Sequence, residues 1–136
     1  MKTTNYYNTF IEVAEDCPAI AGEIPPVKGD QKTIATLQYE YISQHPYKFT
    51  SDDILFFVHA TKKDVAENDL EAEKQQFFSK GQPCFRASPL TKKYGWGIHS
   101  NEEGKIALVG SETEEYTKFT QAPALKKVKA MRSKKA

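Results

Sequence analysis

The spacing of apolar side chains along the chain predicts an alternation of strands and helices. In the stretch "NTFIEVA", Phe10 alternates with Ile11 and Val13, which is typical of a strand with two different faces. Three prolines then interrupt regular structure, so residues 17–30 are predicted to form a loop.

The strongest helical pattern runs from Gln31 to Gln44, where apolar residues recur at positions 34, 37, 41 and 42. Asp30 is placed to cap the start of this helix, and Pro46 is placed to end it. The chain is therefore expected to enter its first helix directly after the loop.

The stretch "TSDDILFFVHA" fits two structures. Thr50 and Asp53 have the spacing of a helix capping box, whereas the apolar run 54–58 is typical of a buried strand. The run is short and rich in aromatic and β-branched residues, and a helix here would be apolar on almost every side. We therefore predict a strand.

The second half of the chain predicts two further helices and three strands. "ENDLEAEKQQFFSKG" predicts an amphipathic helix that ends at Gly81. "PCFRAS" is predicted as a short strand, and "GWGIHSNEEGKIALVG" as a hairpin whose turn contains Gly104. Ser111 is placed to cap a short helix that presents Tyr116 and Phe119.

This order of elements predicts an α+β fold, with a mostly antiparallel sheet and about three helices packed against it. A chain of 136 residues matches one domain. We assign residues 1–122 to that domain and residues 123–136 to a basic C-terminal tail.

The net charge of +1 hides a segregation of charge along the chain. The tail holds six of the 19 basic residues, which leaves 13 against 18 acidic residues in the body. One hypothesis is that the tail forms a short helix, with Leu125, Val128 and Met131 on one side, that docks on the acidic body. The less favoured alternative is weak, salt-sensitive contact with nucleic acid, because the tail has no aromatic residue to stack on bases.

Several functional classes lack support in the sequence. No apolar run is long enough to span a membrane and no signal peptide is evident, so we expect a cytoplasmic protein without a membrane partner. Cys17 and Cys84 are isolated and are expected to be reduced thiols. His45, His59 and His99 are too scattered to form a local metal motif, and no phosphate or dinucleotide loop occurs. We predict no metal and no cofactor.

Three stretches, "NYYNTFIEVAEDCP", "GQPCFRASPLTKKYGWGIHSNEEGK" and "VKAMRSK", carry a family resemblance that extends over nearly the whole chain. In them the sequence resembles a family of small bacterial proteins of unknown function. The resemblance implies a bacterial, soluble, single-domain protein. It brings no activity, cofactor or catalytic residue with it.

The best candidate site in the sequence consists of Arg86, Tyr94, Trp96 and His99. Arginine can bind a small anionic ligand, the two aromatic rings offer stacking surfaces, and histidine titrates near neutral pH. A structural interpretation competes with this one, in which Trp96 and Ile98 pack on one strand face while Arg86 pairs with an acid.

The sequence therefore predicts a small binding protein with a pocket near residues 84–99. A second hypothesis is a small enzyme that uses Cys84 or His99. A third is an accessory module that binds nucleic acid or protein through the basic tail.

Overall fold

The computed structural model of the chain describes residues 2–27 and 29–134. The four strands are β1 (Thr9–Glu12), β2 (Trp96–Ser100), β3 (Ile106–Gly110) and β4 (Lys126–Lys129). The five helices are α1 (Ile34–Gln44), α2 (Ser51–Lys63), α3 (Leu70–Ser79), α4 (Pro89–Lys92) and α5 (Glu114–Gln121). Short 3₁₀ turns lie at Glu67–Asp69 and Phe85–Ala87. In these ranges no helix is both long and apolar enough to cross a membrane.

The strands form one sheet in the order β3-β2-β1-β4. β2 is antiparallel to both β1 and β3, whereas β4 is parallel to β1. The α+β prediction is confirmed, but the sheet is mixed and the helices number five in the described residues rather than about three. Helix α5 connects β3 to β4 as a crossover, so β4 runs in the same direction as β3. Because β3 and β1 are both antiparallel to β2, β4 is also parallel to β1.

Each face of the sheet is covered by helices. Ile11 pairs with Ile98 across β1 and β2, and both lie in the main core beneath α1 and α2. Phe10 pairs with His99 on the other face, where the Phe10 ring meets the Tyr116 ring of α5 at 5.0 Å. The predicted alternation of Phe10 and Ile11 is therefore confirmed.

The first helix is confirmed, but a different residue caps it. The Thr33 side chain accepts a hydrogen bond from the Thr36 amide at 3.2 Å, so α1 begins at Ile34 and Asp30 does not serve as its cap. Threonine and aspartate both offer an acceptor oxygen, so which of the two residues caps the helix depends on the path of the preceding loop.

The predicted strand at positions 54–58 is wrong, because this stretch lies within α2. The Thr50 and Asp53 side chains form a complete capping box. Ile54 and Val58 enter the core on one side of the helix, while the Phe56 ring meets the Phe78 ring of α3 at 6.4 Å. The helix is apolar on several sides because neighbouring elements cover several of its sides.

The predicted strand "PCFRAS" is also wrong, since Phe85–Ala87 forms a 3₁₀ turn. The Ala87 amide donates to the Cys84 carbonyl at 2.9 Å, and the buried Thr91 hydroxyl donates to the Phe85 carbonyl at 2.6 Å. These local bonds close the segment into a turn that leads into α4, where Pro89 occupies the first turn.

The hairpin and the last helix agree with the sequence analysis in type. Gly104 has φ +80° in the turn between β2 and β3, as the turn pattern predicts. α5 presents Tyr116 and Phe119 to the sheet, but Thr113 caps it rather than Ser111.

The predicted helix in the basic C-terminal segment is wrong, because residues 126–129 form β4. β4 pairs in register with β1, and Ala130, which is only 4% exposed, donates its amide to the Glu12 carbonyl at 2.8 Å. An isolated helix of this length is marginal, whereas the β1 edge offers a full set of backbone partners. The last two positions of the predicted tail, 135 and 136, lie outside the described residues.

Candidate ligand-binding cleft

The structure places Trp96 and His99 on opposite faces of the sheet. The Trp96 ring faces α1, where it meets the Tyr39 ring at 5.6 Å, and its indole nitrogen donates to the Glu23 carbonyl at 2.8 Å. The His99 ring stacks on Phe119 of α5 at 4.2 Å. These two side chains therefore do not share a pocket wall.

Arg86 and Tyr94 are also held by separate structural contacts. The Arg86 Nε atom donates to the Lys129 carbonyl at 2.6 Å, so this side chain joins the 3₁₀ turn to the end of β4. Tyr94 packs against the main core, and its carbonyl accepts from the Glu23 amide at 2.8 Å. The structure does not gather the four predicted side chains around one cavity.

The His99 imidazole lies in an aromatic setting rather than an open site. Its Nδ1 atom is 2.8 Å from the Tyr47 hydroxyl oxygen. Burial lowers the pKa of His99, while the nearby Glu115 carboxylate acts in the opposite direction. Burial, with a contribution from Glu115, raises the pKa of Tyr47. Both shifts favour the uncharged forms of the two side chains.

A cleft of about 660 Å³ lies between α1, α2, α3 and the segment 82–89. Its volume falls within the range of small-molecule sites, roughly 300–1,000 Å³. The residues that line it are Ile34, Gln38, Leu55, Val58, His59, Lys62, Lys63, Phe77, Gln82, Pro83, Cys84, Ala87, Ser88 and Pro89. The cleft thus adjoins the first part of the 84–99 segment.

The helical repeat explains why α2 forms the main wall of the cleft. Its lining residues Leu55, Val58, His59 and Lys62 follow the spacing i, i+3, i+4, i+7, which is one stripe of a helix. α1 contributes Ile34 and Gln38, which also lie one turn apart on a single face. The stripe on α2 is apolar in its first half, at Leu55 and Val58, and carries His59 and then Lys62 toward its C-terminal end.

A buried polar pair forms part of the cleft lining. Gln38 and Ser88 are only 4% and 5% exposed, and the Ser88 hydroxyl donates to Gln38 Oε1 at 2.6 Å. The Ser88 oxygen in turn accepts from the Leu90 amide at 3.1 Å. Among the described residues, the Gln38 side chain makes hydrogen bonds through its oxygen alone. The two N–H donors of its amide nitrogen therefore stay available for an acceptor in the cleft.

The cationic end of the cleft contains His59, Lys62 and Lys63. His59 Nε2 and Lys63 Nζ lie 2.8 and 2.9 Å from the Glu73 carboxylate, and their hydrogen bonds hold the pKa of Glu73 below its ordinary value. Lys62 Nζ instead donates to the Lys32 carbonyl at 3.1 Å. The residues lining the cleft include no aspartate and no glutamate.

Cys84 lies in the cleft wall beside an aromatic hydroxyl. Its sulfur is 3.4 Å from the Tyr6 hydroxyl oxygen. Burial and this contact raise the pKa of Tyr6, while the Arg86 charge acts to lower it. In the described ranges no group of three or more histidine, cysteine or acidic side chains is placed to hold a metal ion.

Sequence reasoning missed Gln38, His59, Lys62 and Ser88 as members of one site. The signal for the α2 stripe was present in the spacing of positions 55, 58, 59 and 62, but it carries meaning only if the stretch is helical. Gln38 and Ser88 are 50 residues apart, and no local pattern connects them.

Comparison with known proteins matches the chain to a family model. No curated protein and no solved structure matches the chain significantly. A family model described as a family of unknown function, DUF6157, matches residues 1–136 and so agrees with the resemblance to an uncharacterised family. The chain therefore belongs to the DUF6157 family of unknown function.

Proposed function

We propose that the protein binds a small, largely apolar molecule in the cleft between α1, α2, α3 and the segment 82–89. The observation that carries this proposal is the cleft itself, about 660 Å³ in volume and walled mainly by apolar side chains. A concave, largely apolar site with a few fixed polar groups is the usual form of a small-molecule site.

The polar groups of the cleft support binding with a defined orientation. The Ser88 hydroxyl fixes the amide of Gln38 through a 2.6 Å hydrogen bond, so the donors of that amide have a set direction. The Gln38 amide nitrogen has no hydrogen-bond partner among the described residues, so a ligand acceptor that met it would gain a hydrogen bond. A ligand with an apolar body and an acceptor atom suits this arrangement.

An enzyme that uses Cys84 remains the second candidate, because the thiol lines the same cleft. Nucleophilic catalysis needs an activated thiol, through an adjacent base or a lowered thiol pKa. The described partner of the Cys84 sulfur is the Tyr6 hydroxyl, and the His59 imidazole of the cleft is paired with Glu73. This arrangement favours binding over thiol catalysis. His99, the other proposed catalytic group, does not line the cleft.

The nucleic-acid hypothesis has weaker support. Lys127 Nζ donates to the Ala122 carbonyl, and Lys129 Nζ lies 3.4 Å from the Glu15 carboxylate. Two basic side chains of the C-terminal segment thus already have intramolecular partners, which leaves fewer charges for phosphate contacts.

Binding of phenylnaphthylamine, an uncharged dye that fluoresces in apolar sites, tests the proposal. We expect saturable binding to the wild-type protein and at least a ten-fold loss of affinity in Ala87→Phe, because the new ring occupies the cleft. Ala124→Phe adds the same ring at an exposed position outside the cleft and should bind the dye normally.

Thermal unfolding of both variants verifies that they are folded. The dye should also slow the alkylation of Cys84 by iodoacetamide, since this thiol lines the cleft. Absence of saturable binding to the wild type, or equal binding by a folded Ala87→Phe protein, would overturn the proposal.

A further inference from the structure

We infer that the ligand of this cleft is an amphipathic anion whose negative group pairs with Lys62. The inference rests on the proposed function and adds the chemical class of the ligand. It combines the charges that line the cleft, the contacts of Lys62, and the position of this lysine toward the C-terminal end of the α2 stripe.

The charges of the cleft do not follow the composition of the chain. The chain has 18 acidic residues, yet the described residues that line the cleft include two lysines and a histidine and no acid. Glu73, behind this lining, is hydrogen-bonded to both His59 and Lys63. Lys63 is therefore paired with Glu73, and Lys62 is left as the lysine of the cleft lining without a carboxylate partner among the described residues, which favours an anion at this end.

Lys62 is the lysine available to pair with that anion. Its ammonium donates to the Lys32 carbonyl at 3.1 Å, and no carboxylate of the described residues lies within 4.0 Å of it. An ammonium has three N–H donors, so two remain for a ligand. The carbonyl contact orients the side chain without neutralising its charge.

The shape of the α2 wall defines the rest of the ligand. Leu55 and Lys62 are seven positions apart on one stripe, with Val58 between them. At 1.5 Å per residue this separation corresponds to roughly 10 Å along the helix. A ligand with an apolar body of about this length and an anion at one end, such as an aryl or medium-chain carboxylate or sulfonate, can contact the whole stripe.

The opposite polarity fits the cleft less well. A cationic amphiphile would meet Lys62 with like charge, and none of the residues lining the cleft is a carboxylate that could balance it. A wholly uncharged ligand would leave the exposed Lys62 ammonium to the solvent and would gain nothing from its charge.

A matched pair of dyes tests the inference, because anilinonaphthalenesulfonate differs from phenylnaphthylamine by one sulfonate. We expect the sulfonate dye to bind the wild-type protein about five-fold or more tighter at low salt, a gain of the size that a partly screened ion pair provides. Rising ionic strength should reduce this difference between the dyes.

Substitution at Lys62 locates the charge. Lys62→Gln should remove most of the advantage of the sulfonate dye over the uncharged dye. Lys62→Arg should retain the advantage. Lys93→Gln removes an exposed lysine outside the cleft and serves as the matched control.

Competition identifies the anion as the recognised group. Octanoate should displace the sulfonate dye from wild-type protein at several-fold lower concentration than octanol, and this difference should disappear in Lys62→Gln. If both dyes bind equally well and both depend on Ala87, the inference about charge fails and the proposed function stands. If neither dye is sensitive to Ala87→Phe, both the inference and the proposed function fail.

Discussion

Gly95 and Gly29 both have a positive φ but have different surroundings. Comparing alanine substitutions at the two positions therefore distinguishes the effect of backbone strain from that of steric crowding. Their φ angles are +79° and +62°. A Cβ atom at Gly95 would lie 2.8 Å from the Ala21 carbonyl carbon, whereas nothing lies within 4 Å of one at Gly29. The cost of Gly29→Ala therefore comes from the strained backbone conformation and not from a steric clash.

We expect Gly95→Ala to lower the free energy of unfolding by about 3 kcal/mol or more and Gly29→Ala by about 1 kcal/mol. Urea unfolding followed by circular dichroism measures both values. Equal losses for the two variants would show that crowding at Ala21 has little importance.

Asp52 and Asp53 are sequence neighbours with different structural roles. The buried Asp52 carboxylate accepts hydrogen bonds from the Thr3 hydroxyl, the Thr4 hydroxyl and the Thr4 amide, each at 2.7 Å. Among the described residues, the Asp53 carboxylate accepts from the Thr50 amide alone, at 3.1 Å, within the capping box of α2. The first carboxylate joins distant segments, while the second acts locally.

Asp52→Ala should therefore destabilise the protein by about 2–4 kcal/mol, because the two buried donors of Thr4 lose this partner. Asp53→Ala should cost about 1 kcal/mol, as a lost cap usually does. Hydrogen exchange at the Thr4 amide should accelerate strongly only in Asp52→Ala. If exchange there is unchanged, Asp52 does not hold the N-terminal segment.

At the scale of elements, the packing of α5 on the sheet predicts a response to pH. His99 lies between the Phe119 ring and the Tyr47 hydroxyl, and burial lowers its pKa below the ordinary value of 6.5. The folded protein therefore binds a proton at His99 less readily than the unfolded chain. The stability linked to His99 is fully present above pH 6.5 and is lost as pH falls through the lowered pKa.

We expect the free energy of unfolding to fall below pH 6.5 in the wild type and to fall less in His99→Gln, which cannot titrate. Denaturant unfolding between about pH 7.5 and 5 measures this difference, in a window above the ordinary carboxylate range. Parallel pH profiles for the two proteins would contradict the assignment.

At the scale of the whole molecule, the basic C-terminal segment contributes to the sheet. β4 pairs with β1 along residues 126–129, Val128 packs against the core, and Ala130 is buried. Beyond it, the Met131 amide donates to the Arg86 carbonyl at 2.7 Å. Loss of this segment would expose one edge of β1 and part of the core.

A chain that ends at Pro123 should therefore be less stable by at least about 2 kcal/mol, because it lacks the β4 hydrogen bonds and the Ala130 contact. A chain that ends at Arg132 retains β4 and should keep nearly the stability of the full chain, since the contacts of the described residues that disappear are the exposed ones of Ser133 and Lys134 with Asp16. Thermal and denaturant unfolding compare the two truncations. Equal stability of the Pro123 truncation and the full chain would contradict this role of β4.

The local patterns of the sequence determined the elements that depend on near neighbours. The spacing of apolar residues predicted α1, α3 and α5, and Gly104 marked the β2–β3 turn, where a positive φ is required. The alternation of Phe10 and Ile11 predicted a strand with two packed faces. In each case short-range geometry and the helix or strand period are sufficient.

Only the tertiary structure decided the character of α2, β4 and the cleft. The apolar run 54–58 forms a helix because α1, α3 and the sheet cover it, and residues 126–129 form a strand because β1 offers an open edge. The cleft joins Gln38 to Ser88 and brings Cys84 beside the α2 stripe. Such contacts depend on residues far apart in the chain, which a local pattern does not relate.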